Sequence, residues 1–89
     1  MYILGDIGNS ETKVYLVNSK NKIIRNVNFS SKKINNKILN QKFRYLIKDF
    51  KSIKKILFCS VVPKSFNLIK KFLLKKIKKR CYEVKDLRL

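Results

Sequence analysis

Histidine, tryptophan and alanine are all missing from this 89-residue chain, and only five acidic residues, two glycines, two cysteines and one proline are present. Without histidine, neither a Ser-His nor a Cys-His catalytic pair can form, and the imidazole ligands of a zinc site are gone. Cys59 and Cys81 are too few and too far apart in sequence for a thiolate metal cluster. Cys59 lies inside the apolar run ILFCSVV and reads as a small buried hydrophobe. No apolar stretch reaches the roughly 18–20 residues that span a bilayer. Nor does a basic segment lead into an apolar core and cleavage site at the N-terminus. These absences predict one small soluble domain, cytoplasmic and with no membrane partner.

What is abundant is positive charge: 23 lysines and arginines stand against the five acids, for a net charge of +18. Much of this excess reads as genome composition. The 19 lysines, 11 isoleucines and 9 asparagines have codons rich in A and T, whereas the absent alanine and scarce glycine and proline have codons rich in G and C. Lysine also outnumbers arginine 19 to 4. Codon bias does not explain the shortage of acids. Residues 1–31 carry four basic and two acidic side chains, and residues 32–89 carry nineteen and three. A basic surface facing an anionic ligand is therefore expected from the second part of the chain. An apolar content of 45% is enough for folding, although a chain this short buries only about 60–65% of its unfolded surface.

Residues 1–7 and 12–17 read as strands rich in Ile, Leu, Val and Tyr, joined by a Gly-Asn-Ser-Glu turn. After a second turn at NSKN, residues 18–21, the segment KIIRNVNF at 22–29 alternates. Ile23, Val27 and Phe29 are expected on one face, with Asn26 and Asn28 on the other. Beyond SSKKINN the period changes, and Leu39, Phe43, Leu46, Ile47 and Phe50 make one helical stripe. KKILFCSVV then suits a central strand covered on both faces. Pro63 suits the first turn of a second helix. Phe66, Ile69, Phe72, Leu73 and Ile77 form its apolar stripe, while Lys71, Lys75 and Lys78 face away. CYEV, residues 81–84, reads as a last strand. The predicted class is α/β, in the order β-β-β-α-β-α-β.

The lysine-rich helix from Ser65 to Arg80 has two readings. It is an amphipathic core helix with solvated lysines, or a surface for phosphate backbones or anionic lipid. Its polar face has no aromatic residue to stack on bases, because Phe66 and Phe72 belong to the apolar stripe. A small basic nucleic-acid-binding α/β domain is thus the alternative, and nucleic acid is the disfavoured partner.

The stretch ILGDIGNSETKVYLV, Ile3 to Val17, places Asp6 at the end of a strand that otherwise looks buried. A plain hairpin would let its carboxylate accept hydrogen bonds from turn amides. The element order, however, resembles the ribonuclease-H-like half-domain of the actin, sugar kinase and Hsp70 superfamily, which has a mixed sheet. Within it, DIGNSETK at residues 6–13 resembles the first phosphate motif, Asp-x-Gly-Asn-Thr/Ser, of type III pantothenate kinases. SVVP at residues 60–63 resembles the segment that ends that family's fourth strand.

The resemblance implies ATP-dependent phosphorylation of pantothenate in coenzyme A biosynthesis, with Mg²⁺ and a monovalent cation (K⁺ or NH₄⁺), and a homodimer at full length. It implies nucleotide contacts at Asp6, Gly8, Asn9, Ser10, Glu11, Thr12 and Lys13, with Asp6 also the metal residue. The chemistry of these residues suits that task. Asp6 would hold the hydration shell of a magnesium ion bound to phosphates. Gly8 would let the backbone approach them with no Cβ in the way. Asn9 would adopt unusual backbone angles and offer an amide, Ser10 and Thr12 would offer hydroxyls, and Lys13 a positive charge. Glu11 departs from the family, which more often has Asn or a basic residue there, and is expected to point away from the cleft.

Family members run two to three times as long, with two half-domains around the active site and a Gly-x-Asp-Arg segment that supplies the base. No catalytic residue is therefore expected in this chain; the base would lie beyond Leu89. Asp49, Glu83 and Asp86 have no motif beside them. The ending KDLRL reads as a chain cut between elements. Residues 1–89 are thus expected to form an N-terminal nucleotide-binding half-domain without its second half, or a non-catalytic accessory relative. Such a piece would expose a sheet face or edge that the second half-domain covers.

Overall fold

The alternating N-terminal segments form a three-stranded meander in a computed structural model of the chain, which describes residues 1–84. Strands β1 (Tyr2–Ile7), β2 (Glu11–Val17) and β3 (Ile23–Ser30) are followed by helix α1 (Asn36–Leu46) and a short 3₁₀ turn (Phe50–Ser52). Strand β4 (Lys55–Ser60), helix α2 (Pro63–Ile77) and strand β5 (Cys81–Glu83) complete the fold. The five strands make one sheet in the order β3-β2-β1-β4-β5. The meander pairs antiparallel, whereas β4 pairs parallel to both β1 and β5. The sheet is mixed, and the element order is that of the expected ribonuclease-H-like half-domain. Residues KDLRL, including Asp86, lie outside the described residues.

Both helices cover the same face of the sheet. Strand alternation and register put Ile3 and Ile7 of β1, Val14 and Leu16 of β2, Val27 and Phe29 of β3, and Ile56 and Phe58 of β4 on that face. All of them join one core with Leu39, Phe43 and Leu46 of α1 and Phe66, Ile69, Phe72 and Leu73 of α2. Paired rings tie the layers together. Phe43 meets Phe72 across the helices at 5.8 Å, and Phe58 meets Phe66 between sheet and helix at 6.5 Å, both tilted. Gly5 makes the second pairing possible, because a Cβ there would overlap the Phe58 ring lying across β1.

Local chemistry sets the helix ends. Asn35 caps α1, its Oδ1 accepting from the Ile38 N–H at 2.9 Å, a bond worth about 1 kcal/mol. Pro63 occupies the first position of α2 as expected, and Lys78 ends that helix in the left-handed conformation at φ 55°. The helix therefore stops at Ile77 rather than continuing to Arg80. Among the described residues, no helix is long and apolar enough to cross a membrane.

Four expectations change. β4 is covered on one face only: Ile56 and Phe58 are buried, but Leu57 and Cys59 on the other face are half-buried. Cys59 is thus not a core residue; Cys81 takes that role. Ile23 is 58% exposed, because a register shift opposite Leu16 and Val17 leaves Arg25 on the core side beyond Val27. Phe50 also leaves its predicted stripe. Ile47 is extended (φ −113°, ψ 111°) and closes α1, and Asp49 then caps the separate 3₁₀ turn by accepting from the Lys51 N–H at 3.0 Å.

Replacing Gly5 with alanine is expected to destabilise the domain by about 1–3 kcal/mol through overpacking. Phe58→Leu in the same chain should recover part of that loss. Urea unfolding midpoints of the two variants check this, and an unchanged midpoint for Gly5→Ala alone would show that the ring does not cross β1. A second expectation concerns Cys81, whose thiol is pushed from the ordinary 9.0 up to about 12, chiefly by burial, with Lys70 pulling it down and Glu83 raising it further. The folded state thus favours the protonated thiol; this contribution is intact below pH 9 and lost as pH rises toward 12. At pH 8 a thiol reagent should label Cys59 and spare Cys81, and should label both in denaturant. Equal labelling of the two in the folded protein would contradict the burial of Cys81.

Candidate functional site

The site is built where two parallel strands end together. Register places Asp6 of β1 beside Cys59 of β4, and Ile7 beside Ser60. The ladder continues past the strands, since the Val61 N–H donates to the Ile7 carbonyl at 3.1 Å. Ser60 then folds the chain back on itself: its Oγ accepts from the Val62 N–H and donates to the Val62 carbonyl, both at 3.0 Å. The segments DIGNSETK and SVVP, far apart in sequence, are thereby neighbours at one end of the sheet.

Between β1 and β2 the hairpin closes on a bond from the Gly8 N–H to the Glu11 carbonyl at 2.9 Å, leaving Asn9 and Ser10 exposed at the tip. Among the described residues, only Asn21 and Lys78 have positive φ. Asn9 therefore does not use the left-handed conformation that asparagine can adopt. Gly8 has a steric reason to be glycine, because a Cβ there would come within 3.2 Å of the Glu11 carbonyl that closes the turn.

Alternation explains why Asp6 is tolerated. It points to the face without helices, where it is exposed and lies opposite Lys13 in the β1–β2 pairing. Directly paired side chains of this kind come within about 5 Å at Cβ. Glu11 begins β2 on the same face as Lys13, but it pairs with Ser30 of β3 rather than with Asp6. It is exposed and stands one position farther from the carboxylate than Lys13 does.

Thr12 is the exception in the group, being fully buried on the helix-covered side. Its Oγ1 bonds the Ser31 Oγ at 2.7 Å. Ser31 is itself a hub: its N–H donates to the Ser10 carbonyl at 3.0 Å, and its carbonyl accepts from the Ser65 Oγ at 3.1 Å. These bonds hold the hairpin turn, the loop after β3 and the first turn of α2 against one another. Sequence reasoning missed Ser31 and Ser65. A signal for Ser65 was present, since it shares a helical stripe with Ile69 and Leu73 and so is a polar residue on an apolar face.

Asp49 is not brought to this end, and Glu83, which ends β5 level with Gly5, is two strands away from Asp6 and on the opposite face of the sheet. Asp49 caps the turn after α1, and Glu83 lies on the edge strand β5 opposite Phe58. No group of three or more His, Cys, Asp or Glu side chains able to hold a metal occurs among the described residues. A metal here would be held through its water shell by Asp6, an exposed single carboxylate, and would take its ligands from water and substrate.

Comparison with known proteins gives a consistent result. A family model described as type III pantothenate kinase matches residues 2–88. A type III pantothenate kinase of Pelagibacter ubique (strain HTCC1062) is 55% identical over 89 residues. The match covers 100% of this chain and 36% of that relative's length.

Replacing Thr12 with valine keeps its shape and leaves the buried Ser31 hydroxyl short of a partner. A loss of about 1–2 kcal/mol in stability is expected, while Thr12→Ser should retain most of it. Thermal unfolding of the two variants decides the matter; equal melting temperatures for valine and serine at this position would remove the hub from the account.

Proposed function

The chain belongs to the type III pantothenate kinase family, and on that premise we propose that residues 1–89 supply its N-terminal nucleotide-binding half-domain. The reaction is phosphoryl transfer from ATP to the primary hydroxyl of pantothenate, a step of coenzyme A biosynthesis in the cytoplasm. The observation that carries this reading is the parallel β1–β4 pairing, which sets the Asp6 turn beside SVVP at one end of the sheet.

In phosphoryl transfer the protein mainly positions groups and stabilises charge, and the turn residues suit that work. Asp6 would hold a magnesium ion bound to the phosphates through the ion's water shell, accepting hydrogen bonds from it. An exposed single carboxylate fits an ion that keeps several waters and takes its remaining ligands from phosphate oxygens. The ion, when bound, neutralises phosphate charge. Asn9 and Ser10 offer an amide and a hydroxyl at the exposed tip, and Gly8 keeps the turn close and free of a side chain. Lys13 places its ammonium on the Asp6 face. Glu11 is kept in the contacting segment through its backbone, which closes the turn. Thr12 acts through the hairpin's position, since its hydroxyl is taken by Ser31.

No residue of the chain is assigned as the catalytic base. Asp49 and Glu83 stand away from the turn, and the chain spans 36% of its relative's length. The base, the pantothenate-binding residues, the contacts to K⁺ or NH₄⁺ and the homodimer interface are assigned to the rest of the full-length protein.

Titration with MgATP tests the nucleotide site. Asp6→Ala is expected to weaken binding at least about tenfold, the value of a lost charge-assisted contact, while Lys71→Gln and Lys75→Gln leave it unchanged. If Asp6→Ala binds MgATP like the parent, and a DNA duplex binds with steep salt dependence that the lysine variants relieve, the basic nucleic-acid-binding reading replaces this one. The chain alone is expected to transfer no phosphate to pantothenate. Turnover by it would place the base within residues 1–89.

A further inference from the structure

The hairpin tip stands between two differently charged surfaces. Asp6 and Lys13 lie on the open face. On the helix-covered side, a groove of about 610 Å³ runs from Asn9 to the start of α2. Lys32, from the loop after β3, and Lys64, from the first turn of α2, line it with Asn9. Neither lysine belongs to the segment 6–13 or to SVVP.

We propose that Lys32 and Lys64 form a second phosphate-binding element, holding the polyphosphate chain of the nucleotide on the side of the turn opposite Asp6. The inference rests on the nucleotide-binding reading above and adds to it two positioning residues and the groove that carries them.

Among the described residues, no acid lines the groove. The Ser31 and Ser65 hydroxyls at its back are already used, one with Thr12 and the other on the Ser31 carbonyl. The free polar groups it offers are therefore the two ammoniums and the Asn9 amide, which suit a ligand rich in anionic oxygens. Ile34, Val62 and Leu68 line the remainder, and apolar surface of this kind supports lysine stems while their charged heads stay solvated.

Position is the second argument. The bonds of Ser31 to Thr12, Ser10 and Ser65 fix the backbone immediately before Lys32, the hairpin tip and the backbone immediately after Lys64. The three segments that present the donors are thus held together by a buried network. Among the described residues, the other lysines lie on strands, helices and turns outside this groove, so charge-matched variants elsewhere separate a built site from general basicity.

The experiment is calorimetric titration of the full chain with MgATP and, separately, with inorganic tripolyphosphate, folding being checked by circular dichroism. Lys32→Gln and Lys64→Gln should each weaken MgATP about fivefold at low ionic strength, as expected for one lost charge contact in water. Tripolyphosphate should weaken in the same proportion, and the differences should vanish near about 1 M salt. At about 0.15 M salt, where the screening length is about 8 Å, Lys20→Gln and Lys71→Gln should stay within about twofold of the parent while the groove variants still show a loss. Equal losses in those controls would reduce the effect to net charge and overturn the proposal. So would a Lys32→Gln/Lys64→Gln double variant that binds like the parent while Asp6→Ala does not, an outcome that leaves the nucleotide reading intact. Lysine-dependent binding of tripolyphosphate without binding of MgATP would keep the groove and overturn the nucleotide reading. A chain that binds neither ligand overturns both.

Discussion

The parallel pairing of β4 with β1 is the contact on which the rest of the molecule depends. Parallel strands need a long crossover, and the chain uses β2, β3 and α1 to make it before β4 returns beside its first strand. The return must be in register, because Phe58 lies across Gly5 and fits nowhere else along β1. Once that register is set, both strands end at the same level. Asp6 and Cys59 become neighbours, and Val61 extends the ladder to the Ile7 carbonyl. A slip of β4 by one residue would send Phe58 to the opposite face and take its ring away from the space that Gly5 leaves.

The same register divides the sheet into two chemically distinct faces. The helix-covered face is filled by isoleucine, valine, leucine and phenylalanine. The other carries Asp6, Lys13, Asn26 and Asn28, with Leu4 39% and Tyr82 50% exposed among them. Asp6 is therefore no burden to folding, since it never faces the core. The open face mixes apolar and charged residues.

Polar groups do structural work at the boundary between these faces. Ser31 gathers bonds from Thr12, Ser10 and Ser65, joining a hairpin turn, a loop and a helix start. Burial of these hydroxyls is tolerable because each has a partner. The arrangement divides the segment DIGNSETK: Asp6, Asn9, Ser10 and Lys13 stay at the surface, while Thr12 turns inward and supports them from behind.

Much of this was legible in the residues alone. Period-two alternation marked the meander, the stripes Leu39–Phe43–Leu46 and Phe66–Ile69–Phe72–Leu73 marked the helices, and Pro63 marked where the second begins. These signals are local, so sequence carries them without reference to distant parts of the chain. The phosphate motif was likewise visible as a string of residue types. Tertiary structure alone decided the rest. Whether a strand is covered on one face or two depends on where the helices dock, which is why Cys59 is half-buried and Leu57 with it. The exposure of Ile23 and Phe50 follows from a bulge and a helix end that no apolar period records. That Lys32 and Lys64 meet Asn9 in one groove was beyond any sequence pattern. Three separate segments supply them, and strand pairing, the core and a buried serine network hold those segments together.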